Sequence, residues 1–256
     1  MRIAAPALGP VVTAELRTLI AGLALAAWLG VPEWRRWGRH YIVVGVIGSA
    51  VPFLLWAYAA LTLSAGLLSV LNATAPMWGA LCTALFLRER LGARRLAGLA
   101  IGIAGVAVLS RPGGDAVVHY PAIAAALVAA LFYGLVATYI KRWASDAPSR
   151  GMAVGSQLAA GTLLVPFIGL WPPSGVPSAG VAASILALGI VCGAVAFILY
   201  FRLIADLGAP GALTVTYLIP LFGVLWGALF LGEALSIHTL AGGALVVLGT
   251  VFVLRT

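Results

Sequence analysis

The sequence predicts an all-α polytopic membrane protein built on an inverted repeat. Three observations predict this fold class: the composition, an internal duplication and the placement of the basic residues. Of the 256 residues, 63% are hydrophobic and 9% are charged, and the mean hydropathy is +1.12. Soluble domains carry about 25% charged residues, so most of this surface is expected to face lipid.

Segments of about 20 apolar residues are the unit that crosses a bilayer as a helix. Nine such segments follow one another, and their connections are too short to hold a soluble domain. In order, the predicted spans are residues 8–29, 41–62, 65–87, 93–110, 121–141, 151–171, 180–203, 209–231 and 235–254.

The basic residues predict the orientation of these spans. One set of alternate connections, together with the C-terminus, carries 12 of the 15 basic residues: Arg35, Arg36, Arg39, Arg88, Arg90, Arg94, Arg95, Lys141, Arg142, Arg150, Arg202 and Arg255. Positive charge accumulates on the cytoplasmic side of membrane proteins, which predicts a cytoplasmic C-terminus in the bacterial inner membrane. The net charge of +8 therefore describes membrane topology and headgroup contact, and nucleic acid is not an expected partner.

An internal duplication is the third observation. A shift of 144 residues aligns residues 76–105 with 220–249 without a gap, and 14 of the 30 positions are identical. The connection 88–95 is basic, whereas its counterpart 232–239 contains no Lys or Arg, so the two copies are predicted to be inverted. Such repeats are typical of transporters, with a site near the midplane where the copies meet.

Inversion requires an odd number of helices in each copy. The second copy covers residues 121–256 with five predicted helices, whereas the first covers residues 1–110 with four. We expect an ancestor with five plus five helices. The first helix of the first copy is then missing from this numbering, unless nine helices are the natural form.

Several short stretches resemble the EamA family of the drug/metabolite transporter superfamily. They are residues 54–61, Ser64-Ala65-Gly66, residues 71–78 and 87–91, Leu16-Arg17 in the first span, and the second-copy counterparts around Pro220 and Glu233. The resemblance implies a ten-helix carrier that moves small organic metabolites, such as amino acids, often outwards. It also implies a first helix that lines the pathway and that this sequence lacks.

Two prolines at equivalent positions are candidates for the transport pathway. Pro76 and Pro220 are predicted to lie mid-helix, where proline removes a backbone hydrogen bond and frees carbonyls such as that of Asn72. Membrane helices tolerate proline in any case, but the repetition favours a functional kink. Asn72 and its counterpart Thr216 lie one turn before these prolines, on the same helix face. Each side chain is expected either to hydrogen-bond the substrate or to hydrogen-bond a neighbouring helix.

Aromatic and ionisable residues complete the candidate set. Trp56, its counterpart Tyr200, and Tyr217 suit a pocket for an organic solute, whereas aromatic residues near span ends fit an interfacial belt better. Arg17 lies inside the first span and needs a partner: a substrate carboxylate, a backbone carbonyl or water. Glu15 is predicted to lie near the outer end and to point elsewhere on the helix, so no carboxylate is expected mid-span.

The predicted substrate-binding set is thus Arg17, Trp56, Asn72, Pro76, Tyr200, Thr216, Tyr217 and Pro220. Neutral polar groups and aromatic rings favour a neutral or zwitterionic metabolite with an apolar part, an amino acid being the simplest example. The sequence contains no metal-binding, phosphate-loop or hydrolase motif. We therefore expect no catalytic residue, metal or cofactor.

Two features concern packing. Gly98 and Gly102 form a small-residue pattern that is predicted to pack helices within one chain in preference to a dimer face, although monomer and homodimer both stay open. Glu89 and Glu233 are predicted to cap the helix that follows each of them, or to complement its positive end.

Besides a secondary carrier, two other classes of function are alternatives: an intramembrane enzyme and a membrane scaffold subunit. An intramembrane enzyme that modifies lipids or isoprenoids needs a cluster of carboxylates or histidines at one interface, and none can be assembled from this sequence. A membrane scaffold subunit has no need of kinked, polar helices in both copies.

Overall fold

The computed structural model describes residues 1–109, 119–173, 177–199, 202–203, 206, 215–233 and 236–254, without the side chains of Thr216 and Tyr217. Within these ranges the secondary structure is helical. The helices are α1 (Ala4–Leu29), α2 (Trp34–Gly45), α3 (Val51–Ala59), α4 (Ala65–Asn72), α5 (Ala75–Leu87), α6 (Ala93–Leu109), α7 (Tyr120–Trp143), α8 (Ser149–Ile168), α9 (Ala179–Leu186), α10 (Val215–Leu231) and α11 (Ile237–Leu254).

Seven helical spans in the described ranges are long and apolar enough to cross a membrane, judged by length and composition. Two further helices, α6 and α10, contain 17 residues each and coincide with the fourth and eighth predicted spans. The prediction of an all-helical membrane protein is therefore confirmed.

Two of the spans contain π-helical segments. Val46–Ala50 joins α2 to α3, and Ala187–Val195 continues α9. A π turn leaves the regular hydrogen-bond ladder locally altered and is frequent at functional sites. Both segments lie inside predicted spans, and in the sequence these spans are continuous apolar runs.

The helices form two compact units, and each unit combines stretches from both halves of the sequence. Unit 1 contains Met1–Leu61 and Tyr139–Ala212, and unit 2 contains Thr62–Thr138 and Leu213–Thr256.

Unit 1 is built around α1 and α8. These helices run antiparallel and approach closely at two glycines: a Cβ at Gly22 would lie 2.9 Å from the backbone nitrogen of Leu158, and a Cβ at Gly161 would lie 2.9 Å from the Cα of Leu19. Small residues let membrane helices pack backbone to backbone in this way. The apolar core of the unit includes Ala4, Leu8, Val12, Val181 and Ile185.

Unit 2 is built around α6 and α11, which also run antiparallel. A Cβ at Gly98 would lie 2.7 Å from the carbonyl oxygen of Gly249, and a Cβ at Gly105 would lie 2.9 Å from that of Gly242. The predicted use of Gly98 for packing within one chain is confirmed by these contacts. Glycine is required at such a crossing because a larger side chain would separate the backbones.

Candidate functional site

The third predicted span is interrupted in the structure. Helix α4 ends at Asn72 and α5 begins at Ala75. Pro76 therefore lies in the first turn of α5, where its missing N–H breaks no helical hydrogen bond. The predicted break in the backbone ladder is confirmed, but the placement of Pro76 in mid-helix is wrong because the helix ends before the proline. Asn72 is half-buried at the end of α4.

The break is stabilised by hydrogen bonds from two threonines. The hydroxyl of Thr250 donates to the carbonyl oxygen of Ala73 at 2.8 Å, and that of Thr74 donates to Leu71 at 2.7 Å. Thr250 is 1% exposed, and a carbonyl buried without a partner is costly. The neighbouring helix α11, which contains Thr250, thus stabilises the interruption.

The second proline lies where the sequence predicts it. Pro220 is inside α10 and its side chain is buried. Thr216 and Tyr217 belong to the first turn of the same helix, and their side chains are not described. The prediction for Tyr200 falls outside the described residues. Of the predicted site residues in unit 2, Asn72, Pro76 and Pro220 therefore have a described environment.

A cavity of about 340 Å³ opens beside the helix break in unit 2. Its lining comes from α5, α6 and α7 together with Thr74, and comprises Thr74, Met77, Trp78, Leu81, Leu99, Gly102, Ile103, Val106 and Leu127. Cavities for small organic ligands measure about 300 to 1,000 Å³ and are mostly apolar. This one matches in size and supplies little besides apolar surface.

In unit 1, Arg17 has a partner that the sequence did not reveal. Its guanidinium carbon lies 4.0 Å from the centroid of the Phe53 ring, and Nη1 lies 3.8 Å from the Met1 sulfur. A cation over an aromatic face is stabilised by the ring quadrupole. Trp56, one turn beyond Phe53 on α3, is 7% exposed. The structure therefore places two predicted site residues, Arg17 and Trp56, in one unit.

Buried polar side chains in unit 1 were not part of the predicted set. The amide nitrogen of Gln157 donates to the hydroxyl of Ser49 at 3.2 Å, and Ser49 lies in the π-helical segment between α2 and α3. Gln157 Oε1 and Thr13 Oγ1 are buried without a hydrogen-bond partner among the described residues. Such groups are rare and call for an explanation. Gln157 was detectable as an amide within a predicted apolar span.

Glu15 corrects a second prediction. Helix α1 begins at Ala4, not at residue 8, so Glu15 has 11 residues of α1 before it and 14 after it. Its side chain is 3% exposed. The expectation that no carboxylate lies mid-span was therefore wrong. The cause is the start of the span: the predicted span begins at residue 8, whereas α1 continues back to Ala4 through a kink at Gly9 (φ +79°) and Pro10.

The sequence profile of the EamA-like transporter family matches residues 1–111 and 120–255. The chain belongs to this family. The match includes the prolines and the interrupted third span. The predicted resemblance is therefore confirmed.

Relatives of this EamA-like chain carry transporter names. The uncharacterized transporter YvbV of Bacillus subtilis (strain 168) is 28% identical over 246 residues, which cover 93% of this chain and 80% of the relative. A probable terminal-alkyne amino-acid exporter of Streptantibioticus cattleyicolor is 29% identical over 251 residues, covering 94% and 82%. One crystal structure has a TM-score of 0.65 at 23% identity, covering 97% of this chain and 88% of the other, and shows the fold alone.

These findings define the coarse function. The EamA-like chain is an integral, multi-pass membrane transporter and not an enzyme. A small molecule is the class of substrate that this family implies.

Proposed function

We propose that this EamA-like transporter is a secondary carrier that exports a small organic metabolite across the bacterial cytoplasmic membrane by alternating access. The proposed substrate is neutral or zwitterionic, resembles an amino acid and has an apolar part. The C-terminus is proposed to be cytoplasmic, as the basic residues predict.

The observation that carries this proposal is a pair of reciprocal contacts between α6 and α11. Gly98 packs on Gly249, and Gly105 packs on Gly242. The offset of 144 residues relates Gly98 to Gly242 and Gly105 to Gly249, so it converts one contact into the other. Self-complementary contacts of this kind arise around a two-fold axis. They support an inverted repeat of residues 1–110 and 121–256, the architecture of many secondary transporters.

The interrupted helices support the proposed lining of the pathway. Discontinuous helices commonly form the substrate sites of inverted-repeat transporters because their free backbone groups can bind the solute. The break after Asn72 is such a feature. Helix α10 is continuous, and Pro220 inside it removes one backbone hydrogen bond at the equivalent position. The proposed lining residues are Arg17, Trp56, Asn72, Pro76, Tyr200, Thr216, Tyr217 and Pro220.

The proposed substrate class rests on the apolar cavity of unit 2 and on one relative. A cavity of about 340 Å³ with an apolar lining accommodates a hydrophobic side chain better than a sugar. One relative is named as a probable amino-acid exporter. Glu15 supplies a single negative charge, so a multivalent cation would keep unpaired charge in a medium where this costs several kcal/mol.

Competition in proteoliposomes tests this proposal. The purified full chain is reconstituted, and flux of labelled leucine is measured against neutral amino acids, sugars, drugs and polyamines, with protein-free vesicles as the control. We expect saturable flux that neutral amino acids with apolar side chains inhibit most. Strongest inhibition by polyamines would contradict the proposed substrate class. Absence of flux for every solute tested would favour a scaffold role.

A further inference from the structure

Glu15 is a buried carboxyl group with no ion pair or side-chain hydrogen bond to the described part of the chain. It lies near the middle of α1, and its Oε2 atom is shielded from solvent. We propose that Glu15 binds and releases a proton during the transport cycle, so that substrate movement is coupled to proton movement. This inference rests on the proposed carrier function.

The charged and titratable groups around α1 are few. The elements packed on α1 are α3, α8, α9 and the two π-helical segments. Together with α1 itself and the residues before it, they contain these groups in the described ranges besides Glu15: the α-amino group of Met1, Arg2, Arg17, Tyr58, Arg150 and Cys192. None of the basic residues among them forms an ion pair with Glu15 in the structure.

Arg17 is the nearest cation in sequence, but it faces another way. Residues two apart on a helix do not share a face, and the Arg17 guanidinium lies over the Phe53 ring of α3. Arg150 is in the first turn of α8, and α8 runs antiparallel to α1, so Arg150 lies towards the end of α1 that is remote from Glu15. The carboxyl group therefore has no resident counter-charge in the described structure.

A proton is the cation that this position can accept without rearrangement. A carboxylate out of water is costly unless a cation or hydrogen bonds compensate it. Protonation removes the charge and requires no added volume, whereas a metal ion needs several further oxygen ligands. A substrate ammonium group needs space beside the carboxylate, whereas the Glu15 side chain is 3% exposed and its Oε2 atom is shielded.

Proton binding at Glu15 then biases the conformational equilibrium of the carrier. A ligand shifts an equilibrium by its difference in affinity for the two states. The protonated form favours the state in which Glu15 is buried, as observed. The ionised form favours a state in which water reaches the carboxylate. A proton gradient across the membrane thereby acts on the transport cycle.

Infrared spectroscopy tests the proton site directly and without substrate. The chain has seven side-chain carboxyl groups, so the band of a protonated carboxylic acid can be assigned with few variants. The full chain in lipid is titrated with pH and compared with Glu15→Gln, with Glu33→Gln as the matched control because Glu33 is exposed. We expect a titrating band that Glu15→Gln removes and Glu33→Gln retains. A spectrum unchanged by Glu15→Gln would overturn the proposal.

Flux measurements separate this inference from the proposed function. Proteoliposomes are loaded with labelled leucine, and gradient-driven movement is compared with exchange at equal pH on both sides. We expect Glu15→Gln to lose gradient-driven accumulation and to keep exchange. Gradient-driven accumulation equal to wild type would overturn proton coupling at Glu15 and leave the carrier function standing. Loss of exchange in a folded Glu15→Gln variant would assign the carboxylate to substrate, which also overturns the proposal.

Discussion

The backbone N–H of Ala65 donates to the carboxylate of Glu233, and both carboxylate oxygens lie 2.8 Å from the nitrogen. Ala65 is the first residue of α4, and the two residues are 168 positions apart. The N–H of Gly66 lies 3.3 Å from Oε2 of the same side chain. A negative charge at a helix start satisfies unpaired N–H groups and complements the helix dipole. Glu233, two residues after the end of α10, therefore fixes the beginning of α4.

Replacing Glu233 by Gln should lower the stability of unit 2. Glutamine keeps the size of the side chain but loses the charge and one acceptor, and caps of this kind contribute about 1 kcal/mol. The measurement is the unfolding temperature of the purified protein in detergent. Glu33→Gln is the matched control, because Glu33 precedes α2 without a side-chain cap. Equal unfolding temperatures for the two variants would argue against the cap.

Substituting Gly98→Ala should destabilise the crossing of α6 and α11. The added Cβ would lie 2.7 Å from the carbonyl oxygen of Gly249, and overpacking of this kind costs about 1 to 3 kcal/mol. Thermal unfolding and gel filtration report the change. Gly79→Ala, in the same unit, has open space around the added carbon and is expected to be tolerated. If both alanines behave alike, the glycine contact is not a determinant of packing.

Cysteine accessibility in intact cells tests the predicted inversion. Cys192 is exposed and Cys82 is buried, so Cys192→Ser provides the background. A membrane-impermeant thiol reagent should label Pro173→Cys from outside and should label Ala93→Cys only after permeabilisation. Both positions are exposed in the structure. The reverse labelling pattern would exclude the proposed orientation.

Asn72→Leu should reduce transport without unfolding the protein. The side chain is half-buried at the end of α4, beside the helix break, and leucine removes its hydrogen-bonding groups at similar volume. Flux kinetics of labelled leucine in proteoliposomes measure the effect, and gel filtration checks the fold. Thr83→Val is the control, because Thr83 bonds within its own helix. Wild-type kinetics for Asn72→Leu would make Asn72 a packing residue.

The sequence predicts the spans of this protein well because long apolar runs have few alternatives to a membrane helix. It predicts polar partners poorly, since these depend on which helices become neighbours. Glu233 was expected to cap the helix that follows it or to complement its positive end, and the structure shows it capping α4. The Phe53 ring against Arg17 and the Thr250 hydroxyl on Ala73 likewise join positions that are distant in sequence.

The start of α1 shows how an error in one predicted helix boundary changes the role predicted for a residue. The predicted first span begins at residue 8, whereas α1 begins at Ala4 and continues through a kink at Gly9 and Pro10. The four residues gained before the kink move Glu15 from the end of a predicted span towards its middle. A buried carboxyl group was thereby missed as a functional candidate.

Counterflow tests the central claim, that this chain is a carrier, most directly. Proteoliposomes are loaded with unlabelled leucine, diluted into a trace of labelled leucine, and sampled over time. A carrier with alternating access exchanges solute across the membrane, so the label should accumulate transiently above its external concentration and then decay. Vesicles without internal leucine should show no such overshoot. The same measurement is made with each solute of the competition panel, and label that only equilibrates, or never enters, for all of them in vesicles that contain folded protein would contradict the account.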